Sequence, residues 1–118
     1  MERILETINN VYQKYLPITK KQGILLDIDF PDTTITINEN SSKRVERDLD
    51  KIMRSAVSRS KSGDQIKIIV RKNSITISDN GTILSPSTCK LLISDFVTVK
   101  SRVGFGTSFQ IDITTRQD

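Results

Sequence analysis

The sequence predicts an α+β protein, a two-layer α/β sandwich in which helices cover one face of a mixed sheet. Three observations lead there. Two stretches, 2–16 and 43–60, carry apolar residues at spacings of three and four, the period of an amphipathic helix. Shorter stretches between and after them alternate apolar and polar residues, the period of strands buried on one side. Most neighbouring strands are joined by tight turns, which favours hairpins over a purely parallel sheet.

The elements follow in order. In the first helix Ile4, Ile8, Val11, Tyr12 and Tyr15 form the stripe, and Pro17 is expected to end it. Gly23 opens a strand over Ile24–Phe30, where Asp27 and Asp29 alternate with Leu26, Ile28 and Phe30. Pro31-Asp32 is a turn, and Thr33–Ile37 a second, short strand. Asn38–Ser42 is a polar loop ending in helix-capping residues. The second helix buries Val45, Leu49, Ile52, Met53, Ala56 and Val57, and it breaks at Ser60–Asp64. Gln65–Arg71 and Ser74–Asp79 form a hairpin around Lys72-Asn73. After a loop from Ser78 to Pro86 comes a short helix over Thr88–Ser94. Phe96–Arg102 and Thr107–Thr114 are the last strands, joined by Val103-Gly104-Phe105-Gly106.

Composition narrows the chemistry. At 118 residues, the whole chain 1–118 is expected to be a single domain. Hydrophobic residues make up 36% and charged residues 27%, a folding composition, and with 5% aromatic residues the core must be aliphatic. There is no His, so the usual general base, zinc ligand and phospho-accepting imidazole are missing. The single Cys89 excludes an intrachain disulfide and a cysteine zinc site, and is expected as a small buried residue of the short helix. No apolar run approaches the about 18 residues of a membrane span, and the N-terminus lacks the apolar core of a signal peptide.

The net charge of +4 is concentrated. Residues 43–61 carry seven basic and three acidic groups, whereas residues 1–42 carry four basic and six acidic. Arg44, Arg47, Lys51, Arg54 and Lys61 lie opposite the apolar stripe of the second helix, as a solvated face or as a binding face.

Two motifs stand out. Ser78-Asp79-Asn80-Gly81-Thr82 closes a strand, and by itself Asp-Asn-Gly is a turn signal. Ser101-Arg102-Val103-Gly104-Phe105-Gly106-Thr107-Ser108-Phe109-Gln110-Ile111 has glycines suited to a tight hairpin, with no helix after them to cradle a phosphate. Together, in this order after two strands, they resemble the D-x-G-x-G box and the closing S-x-x-G-x-G-T-x-F-x-I of the ATP-binding catalytic domain of sensor histidine kinases. That domain has the GHKL, or Bergerat, fold shared with gyrase B and MutL. Lys21-Gln22-Gly23-Ile24-Leu25-Leu26-Asp27 is similar to the family's first strand, so the resemblance spans nearly the whole chain.

The resemblance implies that Asp79 stands where the family's carboxylate accepts the exocyclic amine of adenine, a charge-assisted bond. Gly81 stands where backbone approaches the base, and Thr107 where a hydroxyl supports that Asp. The second glycine of the box is Ile83. Ser55 replaces the Asn that ligates Mg²⁺, Lys51 replaces the Asn one turn before it, and Arg59 follows one turn after. A hydroxyl is a poorer magnesium ligand than an amide, and an ammonium beside it repels the cation. Between Asp79 and the penultimate strand, Ile83–Ser94 contains no glycine, so the family's lid and phosphate-binding glycine box are absent.

The expected function is therefore a degenerate histidine-kinase-like domain, acting as a non-catalytic docking or regulatory module in two-component phosphorelay signalling. Asp79, Gly81, Thr107 and Ser55 would be a vestigial nucleotide site. Lys51, Arg54 and Arg59, at the mouth of an emptied pocket open to solvent, would bind an anionic partner. No catalytic residue, cofactor or metal is expected. Partners would be a response regulator, a histidine-phosphotransfer protein or the rest of a larger sensor, in the cytoplasm and without membrane contact by this domain. Two alternatives remain. One is a working nucleotide site with ATP and Mg²⁺, in which Lys51 and Arg59 hold the phosphates. The other is a basic nucleic-acid-binding module, against which the scarcity of aromatic residues argues.

Overall fold

The computed structural model describes residues 2–30 and 35–113. A short strand, β1 (Glu2–Arg3), leads into α1 (Ile4–Gln22) and β2 (Leu25–Asp29). Then come β3 (Thr36–Ile37), α2 (Glu39–Arg59), β4 (Gln65–Val70) and β5 (Ser74–Asp79). The chain continues through α3 (Pro86–Leu92), β6 (Val97–Arg102) and β7 (Gly106–Asp112). A 5-stranded sheet has the order β2-β4-β5-β7-β6. Only β2 and β4 run parallel; the other pairs are antiparallel. β1 and β3 pair separately as an antiparallel ribbon. This is the mixed-sheet α+β sandwich that the sequence predicts.

The core follows from two periodicities meeting. Ile66, Ile68 and Val70 of β4, Ile75 and Ile77 of β5, and Phe109 and Ile111 of β7 all sit on one sheet face and are buried. Against them lie Ile4, Ile8, Val11 and Tyr15 of α1 and Val45, Leu49, Ile52, Met53 and Ala56 of α2. Tyr12 and Val57, expected in the same stripes, pack at the margin and stay half-buried. The other sheet face is polar along β5, with Thr76 and Ser78 paired to Gln110 and Ser108 of β7. The β4–β5 turn is the expected hairpin, with Arg71 N–H donating to the Ser74 carbonyl at 2.8 Å.

Several boundaries differ from the expectation. Pro17 does not end α1 but lies inside it, and the helix runs on to Gln22. A proline removes one helix hydrogen bond, yet Thr19 beyond it is fully buried and anchors the last turn. Its hydroxyl donates to the Tyr15 and Leu16 carbonyls at 3.1 and 3.0 Å. Gly23 closes the helix rather than opening a strand. At φ 72 it lets its own N–H reach Lys20 O and that of Ile24 reach Thr19 O, the paired bonds of a Schellman cap. β2 accordingly begins at Leu25. At the other end, Glu2 and Arg3 are strand, not helix, and Ile4 N–H finds the Ile35 carbonyl at 2.9 Å.

The loop expected over Asn38–Ser42 is the first turn of α2. Asn38 is the cap, its side chain accepting from Ser41 N–H at 2.8 Å. Ser42 is thereby carried inward, where its hydroxyl pairs with that of Thr7 across the α1–α2 interface at 2.6 Å. The short helix starts earlier than expected, at Pro86, because Ser85 caps it by accepting from Thr88 N–H. It buries no residue fully, and Cys89 is only partly covered by the core. The last two strands begin at Val97 and Gly106. The turn at Pro31-Asp32, the start of the second strand at Thr33 and the strand end at Thr114 lie outside the described residues.

Candidate functional site

The strand alternation that buries Ile75 and Ile77 also carries Asp79 inward, since all three share one phase of β5. A carboxylate is thus delivered to the layer between sheet and helices, where an unpaired charge is untenable. Its counter-ion comes from α2. Arg59 is the last residue of that helix, where a cation is also favoured by the helix dipole. Its Nη1 donates to Asp79 Oδ1 at 2.9 Å and its Nη2 to Oδ2 at 3.0 Å, a bidentate fork. The Asp79 side chain is 0% exposed and that of Arg59 10%.

The remaining hydrogen bonds complete a closed network. Arg59 Nε donates to the Ser55 hydroxyl at 3.1 Å, and Nη1 also reaches the Thr82 carbonyl and Thr107 Oγ1, each at 3.2 Å. Gly81 N–H donates to Asp79 Oδ1 at 3.1 Å. Thr107 stands opposite Asp79 in register and exchanges a 2.8 Å hydrogen bond with Ser101, whose hydroxyl also accepts from Leu84 N–H. The two motif glycines are fitted to this network. A side chain at Gly81 would meet the Arg59 carbonyl oxygen at 2.5 Å, and one at Gly106, held at φ 82, would strike the Asp79 carbonyl.

Asp79, Gly81, Thr107 and Ser55, expected as a vestigial nucleotide site, are therefore brought together by the fold. What joins them is Arg59, and here the expectation is corrected. Arg59 is not a solvent-facing cation at the mouth of an open pocket. Its guanidinium is the internal ligand of the very carboxylate that the resemblance assigns to adenine. The reason is energetic: a buried Asp demands a partner more strongly than water demands an arginine. Asp79 as arranged has no acceptor position directed at solvent, so an incoming amine must first displace Arg59. Ser55, the position that the resemblance gives to the metal ligand, accepts from Arg59 Nε.

Lys51 and Arg54 do remain exposed, as expected. Lys51 has no ion pair with a described residue, while Arg54 pairs with Asp50 at 3.0 Å. Arg44, expected on the solvated face, is mostly buried instead. It lies 3.8 Å over the Phe96 ring, and its Nη2 donates to the Asp112 carbonyl at 2.9 Å. Burial lowers its pKa, partly opposed by the charges of Asp48 and Asp112. Among the described residues no three His, Cys, Asp or Glu side chains converge as metal ligands, and no helix is long and apolar enough to cross a membrane.

A second polar cluster joins the two helices. Lys14 Nζ bonds Asp50 Oδ1 at 2.7 Å, and the Tyr15 hydroxyl donates to the same oxygen at 3.0 Å. Burial alone would raise the Asp50 pKa. The hydrogen bonds from Lys14 and Tyr15 and the charges of Lys14 and Arg54 outweigh it, holding the carboxyl below its usual value. A depressed carboxyl pKa stabilises the fold above the unfolded value of about 3.9 and ceases to do so as pH falls through the folded value. Melts between about pH 5 and pH 2 should show stability falling with acid, and Asp50→Asn should flatten that dependence. An unchanged slope in the variant would remove Asp50 from the account.

No protein-family model matches the sequence, and no curated relative does. Solved structures do match its fold. The nucleotide-free catalytic domain of histidine kinase ThkA is 18% identical, with a TM-score of 0.73 over 94% of this chain and 91% of that one. The cytoplasmic segment of histidine kinase QseC is 12% identical, with a TM-score of 0.75 over 97% and 76%. ThkA solved in complex with response regulator TrrA is 17% identical, with a TM-score of 0.63 over 95% and 41%. The chain thus has the fold of a histidine-kinase catalytic ATPase domain. Sequence reasoning placed that fold and the Asp79 cluster, but missed the Arg59–Asp79 pair. The available signal was an arginine one helical turn after Ser55, on the same face.

Proposed function

We propose that this chain is a degenerate histidine-kinase-like ATPase domain that works as a non-catalytic docking or regulatory module in two-component phosphorelay signalling. The observation that carries this reading is the Arg59–Asp79 fork. In the family that the fold resembles, the corresponding carboxylate is the one that recognises adenine. Here a guanidinium of the chain itself satisfies it. The segment between β5 and β6, residues 80–96, supports the same reading. It holds α3 and only one glycine, Gly81, whose N–H is directed at Asp79. No backbone cradle for a triphosphate is left in it.

On this reading the domain needs no cofactor. It acts in the cytoplasm, alone or within a larger sensor, and its partner is a response regulator, a histidine-phosphotransfer protein or the remainder of that sensor. The ThkA–TrrA complex supports the first of these, since it joins a chain containing this fold to a response regulator. Calorimetric titration with ATP and ADP, with and without Mg²⁺, should give no saturable heat at concentrations up to about 1 mM, a ceiling of about −4 kcal/mol. Phosphate release should match a protein-free control. Micromolar binding, or turnover abolished by Asp79→Asn, would replace this proposal with a working nucleotide site.

A further inference from the structure

We propose that the open groove between α2 and α3 is a docking site for an acidic amphipathic helix of a partner protein. This deepens the docking reading above and rests on it. Two adjoining cavities of about 320 and 540 Å³ share Lys51, Leu91 and Leu92, so they form one trough along α2. It extends from Arg44 to Ser58. At about 1.5 Å per residue, that is a trough about 21 Å long, the length of a helix of about four turns.

The two walls differ in chemistry. The α2 wall presents Arg47, Lys51 and Arg54, all exposed. The α3 wall presents apolar side chains to water: Leu91 is 78% exposed and Ile93, just after the helix, 45%. α3 turns Leu91 away from the core, and its side chain lines both parts of the trough. A groove with one apolar wall and one cationic wall matches a helix with a leucine stripe flanked by Glu or Asp. The apolar wall supplies contact area, and the cations set orientation and encounter rate.

The charges lining the trough also separate this occupant from others. Asp48 and Asp95 also line the trough beside Arg44, Arg47, Lys51 and Arg54, which leaves a modest positive excess, suited to a few carboxylates rather than to the closely spaced phosphates of a nucleic acid. Asp48 is shared between Arg44 and Arg47 at 3.7 and 3.8 Å and Asp50 pairs with Arg54, so Lys51 is the wall cation that no described carboxylate offsets. Among the described residues, a second copy of the chain offers no matching helix. α2 carries the wall cations itself, α3 has Lys90 and no acidic residue, and α1 ends in Lys20 and Lys21.

The test uses a fluorescein-labelled peptide of about 15 residues, long enough for the trough. Leucines stand at helical spacing and glutamates on both flanks. Anisotropy is read against a scrambled peptide of the same composition, a lysine-for-glutamate peptide and a short duplex DNA. The acidic amphipathic peptide should bind saturably and the controls weakly. Lys51→Glu with Arg54→Glu should weaken it about tenfold, and Leu91→Asp similarly. Affinity should also fall as salt shortens the screening length from about 10 Å at 0.1 M to about 3 Å at 1 M. All three positions are exposed, and unchanged melting of the variants will confirm that the fold is intact. No saturable binding, or affinity indifferent to both variants, overturns the proposal. So do duplex DNA binding as tightly, or self-association abolished by Leu91→Asp. Failure of the docking reading looks different. A chain that binds ATP through Asp79 overturns that reading whatever the peptide does. One that binds neither ATP nor peptide overturns only the groove.

Discussion

Arg59→Met and Asp79→Leu, made singly, are each expected to cost about 3–5 kcal/mol of unfolding free energy, because each leaves the other charge buried without its partner. The pair is shielded enough for that magnitude to apply, with side-chain exposures of 10% and 0%. The double variant, Arg59→Met with Asp79→Leu, should recover most of the loss. An apolar pair of similar volume often matches or exceeds a buried ion pair. Urea denaturation of all four proteins closes the cycle, and the coupling should be favourable by more than about 1 kcal/mol. Losses below about 1 kcal/mol in both single variants would mean that Arg59 leaves the network readily. The carboxylate would then be free to accept an adenine amine. The experiment therefore tests the stability account and the closed site together.

The next largest effects belong to the layer between sheet and helices. Phe109→Ala is expected to cost about 3–5 kcal/mol, and Leu49→Ala or Ile52→Ala about 2–5 kcal/mol. Phe109 is fully buried on the interior strand β7, opposite Ile77 of β5 and Val99 of β6. Leu49 and Ile52 meet that face from α2 and are equally buried. Truncation leaves a cavity bounded by strands on one side and a helix on the other. Neither side collapses readily, so the upper part of each range is expected. Denaturant midpoints should move while the slope stays constant, which distinguishes lost stability from a changed unfolded state. A loss under about 1 kcal/mol at Phe109 would contradict the packing of this sheet face.

Much of this structure was legible before any tertiary contact was known. The stripe Val45, Leu49, Ile52, Met53 and Ala56 specifies both a helix and its buried face. The alternation in Ile75 and Ile77 specifies β5, and it carries Asp79 to the inward side by the same two-residue period. Gly81 and Gly106 mark places where backbone must come close. These are local properties, and nearest-neighbour sterics and the period of each element determine them. The order of the elements, with the two glycine motifs in place, was enough to identify the fold.

What only the tertiary structure decided are the partners of long polar side chains. Arg59 and Asp79 stand 20 positions apart in sequence. Nothing local tells an arginine at a helix end whether it will reach water or turn inward. The decision is made by the buried carboxylate opposite it, whose ion pair among the described residues is with Arg59. Arg44 turns inward for a related reason, drawn between the Phe96 ring and the Asp112 carbonyl. Pro17 stays inside α1 because the buried Thr19 and the Gly23 cap act beyond it, a balance set by packing rather than by the proline itself. Periodicity thus determined the scaffold and placed a carboxylate within it. Whether that carboxylate faces a ligand or an arginine depended on which charge the folded chain left unpaired, and only the assembled layers define that.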